Sequence, residues 1–102
     1  MELIKHAVAG TVESSDIMVT VEPTTQKAII IDLDSSVEKQ FGKQIRAVIQ
    51  ETLKHLGVEA AKITAIDKGA LDCTVQARVI TAVYRAAGEA NYNWKEISAW
   101  NA

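Results

Sequence analysis

Glu13-Ser14-Ser15-Asp16 sets two hydroxyls between two carboxylates. Reactive residue types also cluster at Asp34-Ser35-Ser36, at Asp67 and Asp72 on either side of Lys-Gly-Ala-Leu, and at the single thiol, Cys73. A serine or cysteine becomes a nucleophile only when a base and a charge-stabilising group are brought to it. The two imidazoles, His6 and His55, are far apart in sequence, and neither adjoins a serine. On type and spacing alone, Ser14 and Ser15 read as hairpin-loop residues whose side chains bond nearby backbone amides. Asp67 and Asp72 read as turn and cap acids placed near a helix N-terminus.

The elements around these residues follow from periodicity. Ala7 to Val12 is small or β-branched. After the serines, Ile17, Val19 and Val21 alternate with Met18, Thr20 and Glu22, the period of a half-buried strand. The two runs predict a hairpin turning at Glu13 to Asp16. Pro23 and two threonines break the chain, and Ile29, Ile31 and Leu33 then lie on one face of a third strand. Val37, Phe41, Ile45, Val48, Ile49, Thr52, Leu53 and Leu56 recur at helical spacing and predict a helix from about Ser36 to Leu56. Ser35 with Glu38 fits a capping box for it, and Gly57 fits its end. His55, late in this helix, reads as a solvated or capping residue, and His6 as a strand residue. "AKITAI" predicts a fourth strand. From Leu71 the pattern fits both strand and helix; helix is chosen because Leu71, Val75, Val79, Val83 and Ala86 form a stripe that Gly88 terminates. Cys73, on or beside that stripe, reads as a small buried thiol. In the tail, Tyr92, Trp94 and Trp100 are aromatic, and Asn93 with Glu96 could cap a last helical turn. The fold class is α+β: a mainly antiparallel sheet of about four strands with two helices packed on one face.

Composition narrows the function. Eleven Lys and Arg against 13 Asp and Glu leave a formal net charge of −2, which supplies no broad attraction for nucleic acid or an anionic membrane. One cysteine forms no internal disulfide, and no metal-ligand spacing or glycine-rich phosphate loop is present. "MELIKHAVAG" has too little apolar length for a signal segment, so a soluble cytoplasmic protein is expected. The material for stand-alone catalysis is poor, and a carrier or binding module fits better. "LDSSV" superficially resembles the serine-bearing helix start of the helical acyl carrier proteins, but those are all-helical and strongly acidic, and Ser35 and Ser36 read as helix caps instead.

Taken together and in order, "AVAGTVESSDIMV", "SSVEKQFGKQIR" and "DKGALDCTVQAR" resemble the gamma subunits of citrate lyase, the acyl carrier proteins of that complex, with matches from about residue 7 to residue 86. The sequence departs in its tail and has Ser15 where the family commonly places glycine. The resemblance implies a single acyl carrier domain over 1–102, with 88–102 as an aromatic-containing tail. It implies that Ser14 carries phosphoribosyl-dephospho-coenzyme A through a phosphodiester, and that the thiol of this arm holds the acetyl or citryl thioester while citrate is cleaved to acetate and oxaloacetate. The implied partners are the alpha (acyl transferase) and beta (citryl lyase) subunits and a separate prosthetic-group transferase, so the chain itself is non-catalytic and Cys73 dispensable. An exposed hairpin tip on a rigid platform suits such an arm. Asp16 either completes the turn or repels the anionic arm. Two other readings stand beside this one: the acyl carrier subunit of malonate decarboxylase, against which "VESSD" and "DKGALDC" weigh, and an unmodified α+β interaction module anchored by Trp94 and Trp100.

Overall fold

A computed structural model describes residues 1–88 and Ile97. The predicted elements appear in the predicted order: β1 (Ala7–Ala9), β2 (Ile17–Glu22), β3 (Ile29–Ser35), α1 (Glu38–His55), β4 (Ala61–Asp67) and α2 (Asp72–Ala86). They build one four-stranded sheet in the order β1-β2-β4-β3. β2 pairs antiparallel with both β1 and β4, while β3 pairs parallel with β4. The sheet is therefore mixed: the 18-residue α1 carries the chain from the end of β3 back to the start of β4, as a parallel pair requires.

The alternation in β2 and β4 decides which side is dry. Ile17, Val19 and Val21 are buried, as are Ala61, Ile63 and Ala65, and the register sets Val19 against Ala65 and Val21 against Ile63. α1 covers this face from above β3 with Ile45, Ile49 and Leu53, and α2 from above β1 and β2 with Val75, Val79 and Val83. Both helices thus lie on one face, and Ile97 joins the same core. α1 ends in a Schellman motif, with Gly57 N–H donating to Lys54 O and Val58 N–H to Leu53 O, and Gly57 takes the left-handed φ of +72° that this motif needs.

Several local expectations fail for tertiary reasons. Val12 is exposed in a bend, because β1 stops at Ala9. The capping box does not form. Ser35 is the last residue of β3, and its hydroxyl accepts from Val37 N–H while donating to Asp67 Oδ2. Glu38 instead pairs with Arg46 at 2.6 Å, and Gly42 supplies the gap that this pair crosses, since a Cβ there would meet the Glu38 carboxylate. Ser36 likewise gives α1 no side-chain cap; its backbone N–H donates to Asp67 O. Phe41 and Leu71 lie on the predicted stripes but are 46% and 70% exposed, lining an open groove of about 530 Å³ between the start of α1 and residues 69–73. Cys73 is exposed rather than buried, because two residues along a helix turn a side chain through roughly 200°, away from the buried row that begins at Val75. Tyr92, Asn93, Trp94, Glu96 and Trp100 lie outside the described residues. Among the described residues no helix is long and apolar enough to cross a membrane.

Candidate functional site

The loop between β1 and β2 begins with a backbone approach that only glycine permits. At Gly10, φ is +92°, and a Cβ would overlap the Ile17 carbonyl oxygen. From there the chain runs through Thr11, Val12 and Glu13 and turns back. Asp16 N–H donates to Glu13 O at 3.1 Å, so Glu13 to Asp16 is a β-turn with Ser14 and Ser15 at its centre. Ser15 has φ +65°, the only positive φ among the described non-glycine residues, which gives the backbone pattern of a type II turn. That turn favours glycine at its third position for want of a Cβ, which is why Ser15 is the conspicuous substitution in this loop.

The turn is tied down on both sides. Ser15 N–H donates to Lys68 O at 2.8 Å and Lys68 N–H to Asp16 O at 2.9 Å, so the loop backbone pairs with the residue that follows β4. Asp16 is the hub on the other side. Its Oδ1 accepts from Ile17 N–H at 2.7 Å and Arg78 Nε at 3.1 Å; its Oδ2 accepts from Thr11 Oγ1 at 2.7 Å and Arg78 Nη2 at 3.0 Å. The Thr11 hydroxyl in turn accepts from Glu13 N–H at 3.2 Å. The hydrogen bonds from Arg78 first, and from Thr11 next, hold the Asp16 carboxyl well below the usual carboxylate range, against the opposing effect of burial. Asp16 therefore faces into the protein as half of a bidentate ion pair. Of its two predicted roles, the structure bears out turn completion; a carboxylate saturated by Arg78 is not a free charge to repel anything.

The turn at the end of β4 is built on a second aspartate. Asp67 lies on the core face, fully buried, with Ile17 and Ser35 beside it in the register. It accepts from Ser35 Oγ, Gly69 N–H and Ala70 N–H at 2.8, 3.1 and 3.0 Å, which fixes the 67–70 turn and, through Lys68, the wall against which the serine loop rests. Asp72 belongs to the first turn of α2 and accepts from Gln44 Nε2 at 2.9 Å. The two aspartates are thus a turn acid and a helix-start acid, as their spacing suggested.

Ser14 is exposed at the tip of this framework, and its hydroxyl enters none of the loop's hydrogen bonds. His55 is exposed late in α1 with Glu51 3.8 Å away, and His6 is exposed just before β1. The structure brings neither histidine, nor Cys73, into the loop's hydrogen-bonded frame. What this arrangement can do is present a hydroxyl to a catalyst that is not part of it. Sequence reasoning reaches Ser14 and its loop but not Arg78, which is 62 positions from Asp16. Gly10 carried a readable signal: a glycine inside a strand-like run marks a close backbone approach.

Comparison with known proteins follows the same lines. The family described as malonate decarboxylase delta subunit (MdcD), an ACP family, matches residues 4–86. The citrate lyase acyl carrier protein of Streptococcus uberis is 65% identical over 101 residues, covering 99% of each chain, and that of Streptococcus mutans is 65% identical over 102 residues, covering 100% of each. Among solved structures, a chain of a Pseudomonas malonate decarboxylase hetero-tetramer in complex with malonate shares the fold with a TM-score of 0.69 at 23% identity, over 80% of this chain and 84% of that one. Homoserine kinase from Cytophaga hutchinsonii matches with a TM-score of 0.59 at 14% identity, over 96% of this chain but 39% of its own, a likeness of fold alone.

Proposed function

The chain belongs to the family of citrate lyase acyl carrier proteins, and from that premise we propose that Ser14 is the residue through which it carries its prosthetic group. As an acyl carrier protein it is the non-catalytic member of a lyase complex. The group proposed is phosphoribosyl-dephospho-coenzyme A, joined to Ser14 Oγ as a phosphodiester. When attached, it supplies a terminal thiol that holds the acyl group as a thioester. The residues present fit such a group. Ser14 is exposed, and its hydroxyl takes part in none of the loop's hydrogen bonds, so a bulky substituent there displaces no existing contact.

What the chain's own residues contribute is placement. The Lys68 backbone pair and the Asp16 hub fix the base of the loop while leaving its tip in solvent, so an attached arm swings from a defined origin. A tethered acyl group then meets each partner active site at a high effective concentration. The proposed partners are the alpha (acyl transferase) and beta (citryl lyase) subunits, with a separate transferase for loading, in the cytoplasm. The whole of 1–102 is taken as one carrier domain with 88–102 as its tail. Identity near two-thirds over full length to citrate lyase carriers, against 23% to the malonate decarboxylase chain, favours citrate lyase over the decarboxylase.

The observation that carries the site is the exposed, unengaged Ser14 at the centre of a pinned turn. Intact mass and peptide mapping of the chain expressed beside its attachment machinery test it. The added mass should lie on Ser14 and vanish in Ser14→Ala, with the fold unchanged to within about 0.5 kcal/mol. Modification of Ser15, Ser35 or Ser36 with Ser14 free overturns the assignment.

A further inference from the structure

We propose that Arg78 is a positioning residue for the loading of Ser14: by gripping Asp16 from α2 it holds the 10–16 loop in the shape that presents the serine to the modifying enzyme. The inference rests on Ser14 being the attachment site. The Asp16 carboxylate joins the start of the loop through Thr11, its end through Ile17 N–H, and α2 through the two prongs of Arg78. The stem of Arg78 crosses the base of the loop, where its Cδ would be 3.1 Å from a Cβ on Gly10. Seven residues further along α2, Arg85 Nη1 donates to the Val8 carbonyl at 2.8 Å, so one helix clamps both β1 and the end of the loop that follows it.

Local hydrogen bonds among Thr11, Glu13, Asp16 and Ile17 close the turn, but they do not tie it to the rest of the fold. Ser15 has a left-handed backbone that L-residues disfavour, and Ser14 contributes none of the hydrogen bonds that shape the turn. Lys68 anchors one side of the loop to the fold and Arg78, through Asp16, the other. Loading joins Ser14 Oγ to the phosphorus of an activated phosphoanhydride donor. The donor's anhydride P–O bond breaks, its electron pair leaves with the released phosphate group, and the serine proton passes to a base of the transferase. Arg78 makes and breaks none of these bonds; it sets how often the hydroxyl stands where the transferase requires it.

The test is a double-mutant cycle on loading, followed by intact mass with purified apo chain, transferase and donor. Arg78→Gln and Asp16→Asn should each lower the loading kcat/KM by about tenfold, and the double variant by no more than either alone, because all three remove the same contact once. Arg78→Lys keeps the charge without the two-pronged grip and should restore only part of the loss. Beyond the immediate neighbours of the substituted residue, amide NMR should show changes confined to residues 11–17 and 68, with the core amides of Ile49 and Leu53 unmoved. If Arg78→Gln fails to fold, the isosteric Asp16→Asn reads the same pair from its other side. Wild-type loading by Arg78→Gln or Asp16→Asn overturns the proposal. So do losses that multiply in the double variant, which would put Arg78 in contact with the transferase itself. A wild-type arm that maps to a serine other than Ser14 defeats the attachment reading, and is told apart from failure of the Arg78 role by the peptide map alone.

Discussion

Replacing Ser15 with glycine should make the protein more stable. Ser15 has φ +65°, where the Cβ of an L-residue crowds the following carbonyl at a cost of roughly 1–2 kcal/mol. Glycine removes that crowding, but it also loosens the unfolded chain, which returns roughly 0.4–1 kcal/mol of the gain. Little else changes: the Ser15 side chain is exposed and makes none of the loop's hydrogen bonds, while its N–H bond to Lys68 O at 2.8 Å belongs to the backbone and survives. The net gain is about 0.5–1 kcal/mol, or roughly 2–8 °C in Tm for a chain of this size. Ser15→Val reverses the sign, since a β-branched side chain tolerates this backbone worse than serine, and should cost about 1 kcal/mol. Urea melts of the three proteins, at matched slope, measure both effects. A Ser15→Gly variant less stable than the wild type, with Ser15→Val unchanged, would show that the turn is not strained and that the argument from its backbone is wrong.

Gly10→Ala should be among the most damaging changes in the hairpin, with a loss of about 3 kcal/mol or outright unfolding in thermal melts, because its Cβ would overlap the Ile17 carbonyl; a loss under about 1 kcal/mol would contradict the close approach. Cys73 should react with a thiol reagent in the native state at the rate of an exposed cysteine, and Cys73→Ser should shift stability by no more than about 0.5 kcal/mol; slow labelling in native buffer would restore the buried reading. The carboxyl of Asp16 is depressed in the folded state, so its contribution to stability is complete above the unfolded value of about 3.9 and drains away as pH falls below it. Wild-type stability minus that of Asp16→Asn should thus stay constant from about pH 8 to pH 5 and shrink below about pH 4, and a difference that shrinks near neutrality would refute the bidentate pair.

Period and residue type are local quantities, and what they determine is legible in the chain alone. Alternation in Ile17 to Glu22 sets the core face of β2, the spacing of Ile45, Ile49 and Leu53 sets the buried side of α1, and the Glu13 to Asp16 turn puts Ser14 at a hairpin tip. The family resemblance adds which serine to look at, and neighbours at 65% identity agree on the family. Arrangement between elements is not legible in this way. Phe41 and Leu71 carry the helical period yet stand at the starts of α1 and α2, where they line an open groove, so period alone counts them as core. Ser35 and Glu38 have the spacing of a capping box, but β3 extends through Ser35 and the parallel register brings Asp67 to its hydroxyl before the helix can use it. Asp16, two positions after Ser14, reads as a turn residue or a free repelling charge until α2 crosses the loop and supplies Arg78 from 62 positions away. An ion pair of that span depends on where a helix lies on a sheet, a property of packing that no window of sequence contains; for that reason the serine is visible in the chain, and what holds it in place only in the fold.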